Sequence, residues 1–166
     1  MAAWEFQMCQ NIAAQHGWTK FISMQGLYNL LYREEEREMI PYCRATGVGY
    51  MPWSPLAAGI LTHPWSQRDD ARESADVFLQ ALFRGREEES DKQVVARVQE
   101  LAEAKGVSMA QIALAYTMSK ASFAPISGLE TTERIDQAVR ACGIEIREEE
   151  GRYLEEPYLP KPVAGY

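Results

Sequence analysis

Helical stretches alternate with short apolar runs that stop on turn residues, and this alternation constrains the fold more than any other feature of the chain. "WTKFISMQ" (18–25), "VGYMPWSP" (48–55) and "FAPISGL" (123–129) read as short buried strands. Strands alternating with helices form parallel βα units. Parallel strands are covered on both faces, which suits apolar runs such as "FISM" and "FAPI". A closed (β/α)8 barrel needs eight strands and about 250 residues. The residues therefore allow either a small open α/β sheet or part of a barrel.

The helices follow from spacing. Trp4, Met8, Ile12 and Ala13 recur at helical intervals over 3–16, and Gly17 is placed to stop that helix. "REEEREMIPYCRAT" (33–46) is a second helix closed by Gly47, with Pro41 predicting either a kink or a late start. Residues 60–89 are polar, broken by Pro64 and Gly85, and read as a long excursion, helical in part around 76–83. Ser90 and Gln93 match a capping box opening a helix over 91–105, which Gly106 ends. Ser108 and Gln111 match a second, opening "MAQIALAYTMSK" (109–120), apolar almost all round and so expected to be buried. "TTERIDQAVRAC" (131–142) is another helix, and a short one follows Glu148. The last segment, "EEPYLPKPVAGY", is held extended by its prolines.

Composition narrows the function. With 46% hydrophobic residues the chain can build a core. Its net charge of −7 argues against nucleic-acid binding, which requires a basic face. The acids come in runs, Glu34-Glu35-Glu36, Glu87-Glu88-Glu89 and Glu148-Glu149-Glu150, which read as solvated helix starts. The three cysteines, Cys9, Cys43 and Cys142, are widely spaced and form no CxxC, so packed, reduced thiols are expected. His16 and His63 stand alone, without metal-ligand spacing. No basic leader and no run of about 20 apolar residues is present, so neither secretion nor a membrane span is expected.

In parallel α/β architectures ligands sit beyond the carboxyl ends of the strands. Here those ends are Ser23-Met24-Gln25, Trp53 to Gly59, and Ile126 to Thr131, the last leading into a helix that carries Arg134. They supply an amide for pairing, an aromatic face for stacking, and backbone N–H groups near a glycine for phosphate. That set suits a dinucleotide, although the chain contains no GxGxxG.

"FISMQGLYNLLYREEEREMIPYCRATGVGYMPWSPLAAGILT", with "VSMAQIALAYTMSK", the "API" followed by Gly128, and "YLEEPYLPKPVAGY", resembles the C-terminal half of the aldo-keto reductases. Within that family the likeness is strongest to the aryl-alcohol dehydrogenase-like branch, and it covers essentially the whole chain. The resemblance implies a partial (β/α)8 TIM barrel of about three parallel strands, the sixth to eighth, with covering helices. It implies NADP as cofactor. By likeness, Gln25 would hold the nicotinamide carboxamide and Trp53 would stack under the ring. Ser54, Leu56 and Gly59 would follow the pyrophosphate, Arg134 would reach the 2′-phosphate, and Gln137 stands where an acidic residue contacts adenine. Four positions depart from the family pattern: Gly26, Ala58, Ala138 and Glu130, whose carboxylate would repel a 2′-phosphate unless it turned away.

The resemblance also implies what is missing. The family's catalytic aspartate, tyrosine, lysine and histidine come from the first four strands, and no counterpart stands in residues 1–166. The expectation is one truncated NADP-dependent oxidoreductase domain without catalytic residues or metal, inactive alone, whose family chemistry is reduction of a small aldehyde or ketone. A cytoplasmic place in fungal secondary metabolism is implied. Unpaired sheet edges predict homo- or hetero-oligomers. The alternatives are a non-catalytic interaction subunit or a truncated gene product.

Overall fold

The computed structural model describes residues 1–67, 88–120 and 124–163. The helix expected around 76–83 lies outside the described residues, as does Phe123 at the head of the third predicted strand.

Two parallel strands organise the molecule: β1 (Ser23–Leu27) and β2 (Gly49–Trp53), with Gln25 opposite Met51 and Leu27 opposite Trp53. β1 begins later than the predicted 18–25. The preceding Phe21 has its backbone N–H and C=O taken by the Gln10 side chain at 2.9 and 2.8 Å, which docks the first helix. The third predicted strand is reduced to a parallel bridge of Ile126 to Trp53. The Ala124 and Ile126 N–H groups bond Tyr50 and Pro52 of β2, at 3.0 and 2.7 Å. Pro125 between them has no N–H with which to extend a ladder on the other side.

Six helices complete the described part: α1 (Ala3–Gln15), α2 (Met39–Thr46), α3 (Glu88–Lys105), α4 (Met109–Ser119), α5 (Thr132–Ala141) and α6 (Glu148–Glu155). The predicted helix over 33–46 splits. Glu34–Glu36 form one 3-10 turn, and α2 starts at Met39, which leaves Pro41 in the first turn where no N–H is needed. Gly47 closes α2 at φ 72°, a left-handed position natural to glycine. α3 begins before Ser90, so that serine sits buried inside the helix rather than ahead of its first turn. The Ser108–Gln111 box does form, with the Ser108 hydroxyl accepting the Gln111 N–H and the Gln111 side chain accepting the Ser108 N–H. α4 is buried almost throughout, as its sequence requires.

The core lies between one face of the sheet and the helices. Tyr28, Tyr50, Leu31, Ile40, Val95, Ile112, Tyr116 and Leu154 fill it. Among the described residues the opposite face is less covered: Gln25 is exposed, Gly49, Met51 and Trp53 are half-buried, and Leu27 is buried. α1 turns three of the four residues of its predicted stripe outward and buries Ala13. Phe6, Gln10 and Ala13 are buried, while Trp4, Met8 and Ile12 are exposed.

The first acid run is corrected, and the last only at Glu150, since Glu148 and Glu149 stay exposed in the first turn of α6 as expected. Glu34 and Glu35 are buried, as is Glu150. Glu34 accepts the Tyr158 hydroxyl at 2.6 Å and the Lys161 N–H at 2.7 Å, and it pairs with Arg37 at 2.6 Å. Of the thiols, Cys43 is buried and Cys9 half-buried, whereas Cys142 is exposed rather than packed.

Candidate functional site

A cleft of about 890 Å³ opens where β2 and the Ala124–Ile126 segment end. The loop after β2, the turn before α5 and the first turns of α4 and α5 form its walls. Ser54, Leu56, Gly59, Arg134 and Gln137, all selected from the sequence, line this one cleft. Gln25 and Trp53 do not. Trp53 ends β2 half-buried, packed partly against the core, and Gln25 lies on the open face of β1.

The loop after β2 has an unusual backbone. Ser54, Ala57 and Ala58 take φ of 56°, 49° and 54°, and Gly59 takes 97°. Non-glycine residues rarely adopt such angles, and they cluster at functional sites. The loop is tied to itself. The Ala57 N–H donates to the Ser54 carbonyl at 2.9 Å, the Ala58 N–H to the Ser54 hydroxyl at 3.2 Å, and the Gly59 N–H to the Leu56 carbonyl at 2.9 Å. The N–H groups expected to cradle phosphate are thus engaged inside the loop, and an anion there would exchange with these bonds.

At the other wall Thr131 caps α5, its hydroxyl accepting the Arg134 N–H at 3.3 Å. The Arg134 guanidinium reaches back to Glu130 at 3.4 Å, so the carboxylate flagged in the sequence does not turn away from the arginine but pairs with it. Both side chains are exposed, and such a pair is worth little against solvent and salt. Gln137 is held from α4: its side-chain oxygen lies 3.4 Å from the Ser108 hydroxyl and its backbone carbonyl accepts from Gln111 at 3.3 Å.

Behind β1 lies a buried polar network that the sequence did not announce. The Tyr28 hydroxyl donates to Glu36 at 2.5 Å and lies 3.2 Å from that of Tyr116. Arg33 bridges Glu36 and Glu155 at 2.8 and 2.9 Å, and Glu155 also accepts from Tyr116 and Lys120. Burial, and then the charge of Glu36, push the Tyr28 phenol far above its ordinary range. Burial likewise raises Tyr116. For Glu155, burial acts upward, but Lys120, Arg33 and the Tyr116 hydroxyl outweigh it and hold the carboxyl below its usual value. With both phenols neutral, the network fastens "YREEE" to α4 and α6 and lies apart from the residues that line the cleft.

Asn29 was also passed over. It is fully buried just beyond β1, and its side chain bonds the Ser54 carbonyl at 2.9 Å. Its place in "YNLL", where a strand gives way to a turn, is the signal that could have drawn attention to it.

A parallel α/β unit with a polar cleft at its strand ends is the arrangement by which this chain belongs to the aldo/keto reductases, and the pattern of the Aldo/keto reductase family matches residues 2–158. The chain is 55% identical over 163 residues to versiconal hemiacetal acetate reductase of Aspergillus parasiticus, covering 98% of this chain and 48% of that protein. It is 47% identical over 166 residues to a putative aryl-alcohol dehydrogenase of Schizosaccharomyces pombe, covering 99% of this chain and 46% of that one. The chain thus spans about half the length of the curated relatives it matches. A thermostable aldo-keto reductase crystallised with the inhibitor epalrestat superposes with a TM-score of 0.64 at 18% identity. That likeness covers 91% of this chain and 44% of the other, and it shows the fold: the α/β arrangement here matches part of the fold of that reductase.

The cleft was tested for fit to a nicotinamide dinucleotide. Its volume falls in the range of small-molecule sites, and it offers a guanidinium, a carboxamide and a hydroxyl from Arg134, Gln137 and Ser54. These groups fit the phosphate and adenosine end of such a ligand. The Glu130 carboxylate at the same wall opposes a further phosphate there.

Proposed function

We propose that this chain is the dinucleotide-binding part of an aldo-keto reductase, a single domain over 1–166 that takes NADP along the cleft. The observation that carries the reading is the convergence of Ser54, Leu56, Gly59, Arg134 and Gln137, chosen from sequence, on one cleft at the strand ends. When bound, the nicotinamide supplies hydride to a small aldehyde or ketone. In this reading Arg134 and the α5 N-terminus attract phosphate, Gln137 bonds adenine, and the loop from Ser54 to Gly59 lies along the pyrophosphate. Trp53, which ends β2, receives the nicotinamide ring, and Gln25, which the structure puts in the middle of β1 rather than at its expected end, receives its carboxamide. No catalytic residue is assigned in this chain. A positioned proton donor contributes about 10²–10⁴ in rate, so the chain alone binds without turning over.

A setting in fungal secondary metabolism is part of this reading, and it is supported by fungal relatives, one of them by its name a reductase of a hemiacetal acetate. We place it in the cytoplasm; among the described residues no helix is long and apolar enough to cross a membrane. A second reading, an interaction subunit, is favoured by the apolar residues that α1 and the approach to β1 leave exposed.

Calorimetric titration of the purified chain with NADP⁺ tests the first reading. Binding is expected, and Arg134→Ala is expected to weaken it about tenfold. NADPH oxidation with an aromatic aldehyde is expected to stay at background. Absence of binding at millimolar NADP⁺ would sink the cofactor reading, and turnover at an ordinary enzymatic rate would sink the claim of inactivity.

A further inference from the structure

We propose that Asn29 is a positioning residue for the cleft: its carboxamide holds the left-handed turn at Ser54 from which the cleft wall is built. Ser54 carries two opposed demands. It precedes Pro55, which pushes a residue toward extended backbone, yet it sits at φ 56°. Such a conformation persists only where the surroundings over-determine it. The Ser54 peptide carbonyl is fixed from two sides, by the Asn29 Nδ2 donor at 2.9 Å and by the Ala57 N–H at 2.9 Å. The second of these bonds belongs to the loop itself. Asn29 alone of the two donors is anchored outside the loop.

Its anchoring is complete. Asn29 is 0% exposed. Its Oδ1 accepts the Leu31 N–H at 2.8 Å, and its backbone N–H and C=O pair with Tyr32 at 3.1 and 3.2 Å. The amide must therefore present its oxygen to Leu31 and its nitrogen to Ser54. No other side chain of this shape does both, since aspartate lacks the donor and leucine lacks donor and acceptor. Through Ser54 the hold passes to Ala57 and Ala58, whose N–H groups bond the Ser54 carbonyl and hydroxyl, and to the cleft-lining Leu56 and Gly59 before and after them. The ligand of that wall rests on the dinucleotide reading above; the hold on the turn does not.

Amide hydrogen exchange on the full chain tests it, with NADP⁺ calorimetry beside it. In the unaltered chain the Ala57, Ala58 and Gly59 amides are expected to exchange at least about tenfold more slowly than unstructured ones. Asn29→Asp is expected to speed them about tenfold, with β2 amides changed less than about threefold, and to weaken NADP⁺ about tenfold. Adding Ser54→Gly is expected to restore part of the loop protection, because glycine accepts positive φ without cost. Loop amides exchanging at unstructured rates in the unaltered chain would overturn the proposal. So would loop and β2 amides losing protection together in Asn29→Asp, by partial or complete unfolding, which would make Asn29 a general core residue. If the unaltered chain binds no NADP⁺, the cofactor reading fails while the exchange result still decides the role of Asn29.

Discussion

A methyl group at position 26 would stand 2.0 Å from the Tyr50 hydroxyl and 2.9 Å from the ring carbon that bears it. Gly26 and Tyr50 face the helices from neighbouring strands, one diagonal step apart in a register that sets Gly26 against Pro52. Tyr50 is buried in a packed core and has little room to yield. Gly26→Ala is therefore expected to destabilise the chain by about 2–3 kcal/mol, the cost of overpacking. Tyr50→Phe in that background removes the nearest atom but leaves the ring, so it should recover only part of the loss; urea unfolding of the single and double variants measures both. In the sequence Gly26 was visible only as a departure from a family pattern. Its cause is a tyrosine 24 positions along the chain, which only strand pairing brings to it.

At the scale of elements, the acidic runs that read as solvent-facing helix starts serve as clamps. Glu150, in the first turn of α6, pairs with Lys105 of α3 and with Arg147, both at 2.9 Å. Burial draws its pKa upward, but the hydrogen bonds from Arg147 and Lys105 outweigh that and hold it down to about 2. Glu34 and Glu155 are lowered in the same way, against their burial, by Tyr158, Lys161 and Arg37 and by Lys120 and Arg33. A carboxyl whose folded pKa lies below its unfolded value of 4.5 stabilises the fold fully above that value, and the stabilisation is lost as pH falls through the folded pKa. The urea midpoint is thus expected to drop between pH 4.5 and about 2. Glu150→Gln should remove about 2 kcal/mol of stability at neutral pH and flatten that part of the profile. An unchanged profile in Glu150→Gln would show that the clamp carries no such weight. Charge runs were legible in the sequence, but their partners lie far away in the chain, in α3 and in the segment around Tyr158 and Lys161.

For the whole molecule, the decisive feature is an apolar surface that the described helices leave bare. Trp4, Met8 and Ile12 line the outward side of α1, and Trp18, Phe21 and Ile22 follow on the approach to β1, with Ile22 83% exposed. Among the described residues β1 is bonded to β2 alone, so its other edge is open to pairing there. Surfaces of this kind mark association sites. The chain is expected to run above its monomer mass of 18.8 kDa in size-exclusion chromatography with light scattering, as a defined oligomer. Ile22→Glu with Trp4→Glu should shift it toward monomer, and a monomer at every concentration of the unaltered chain would count against association through this face.

The sequence by itself determined the alternation of strand and helix, the cap at Ser108, the glycine that closes α2, the family and the choice of residues that meet in the cleft. These rest on local periodicity, turn chemistry and motifs, which neighbouring residues settle among themselves. Only the tertiary structure decided that Pro125 leaves the third strand as a bridge, that α1 buries Phe6 and Gln10 and turns Trp4 outward, that Glu34 is a buried acceptor, and that Asn29 bonds Ser54. Each of these depends on which surface packs against which. Burial of a helix face or a carboxylate is a property of the partner as much as of the residue, and partners distant in sequence meet only when the chain has folded.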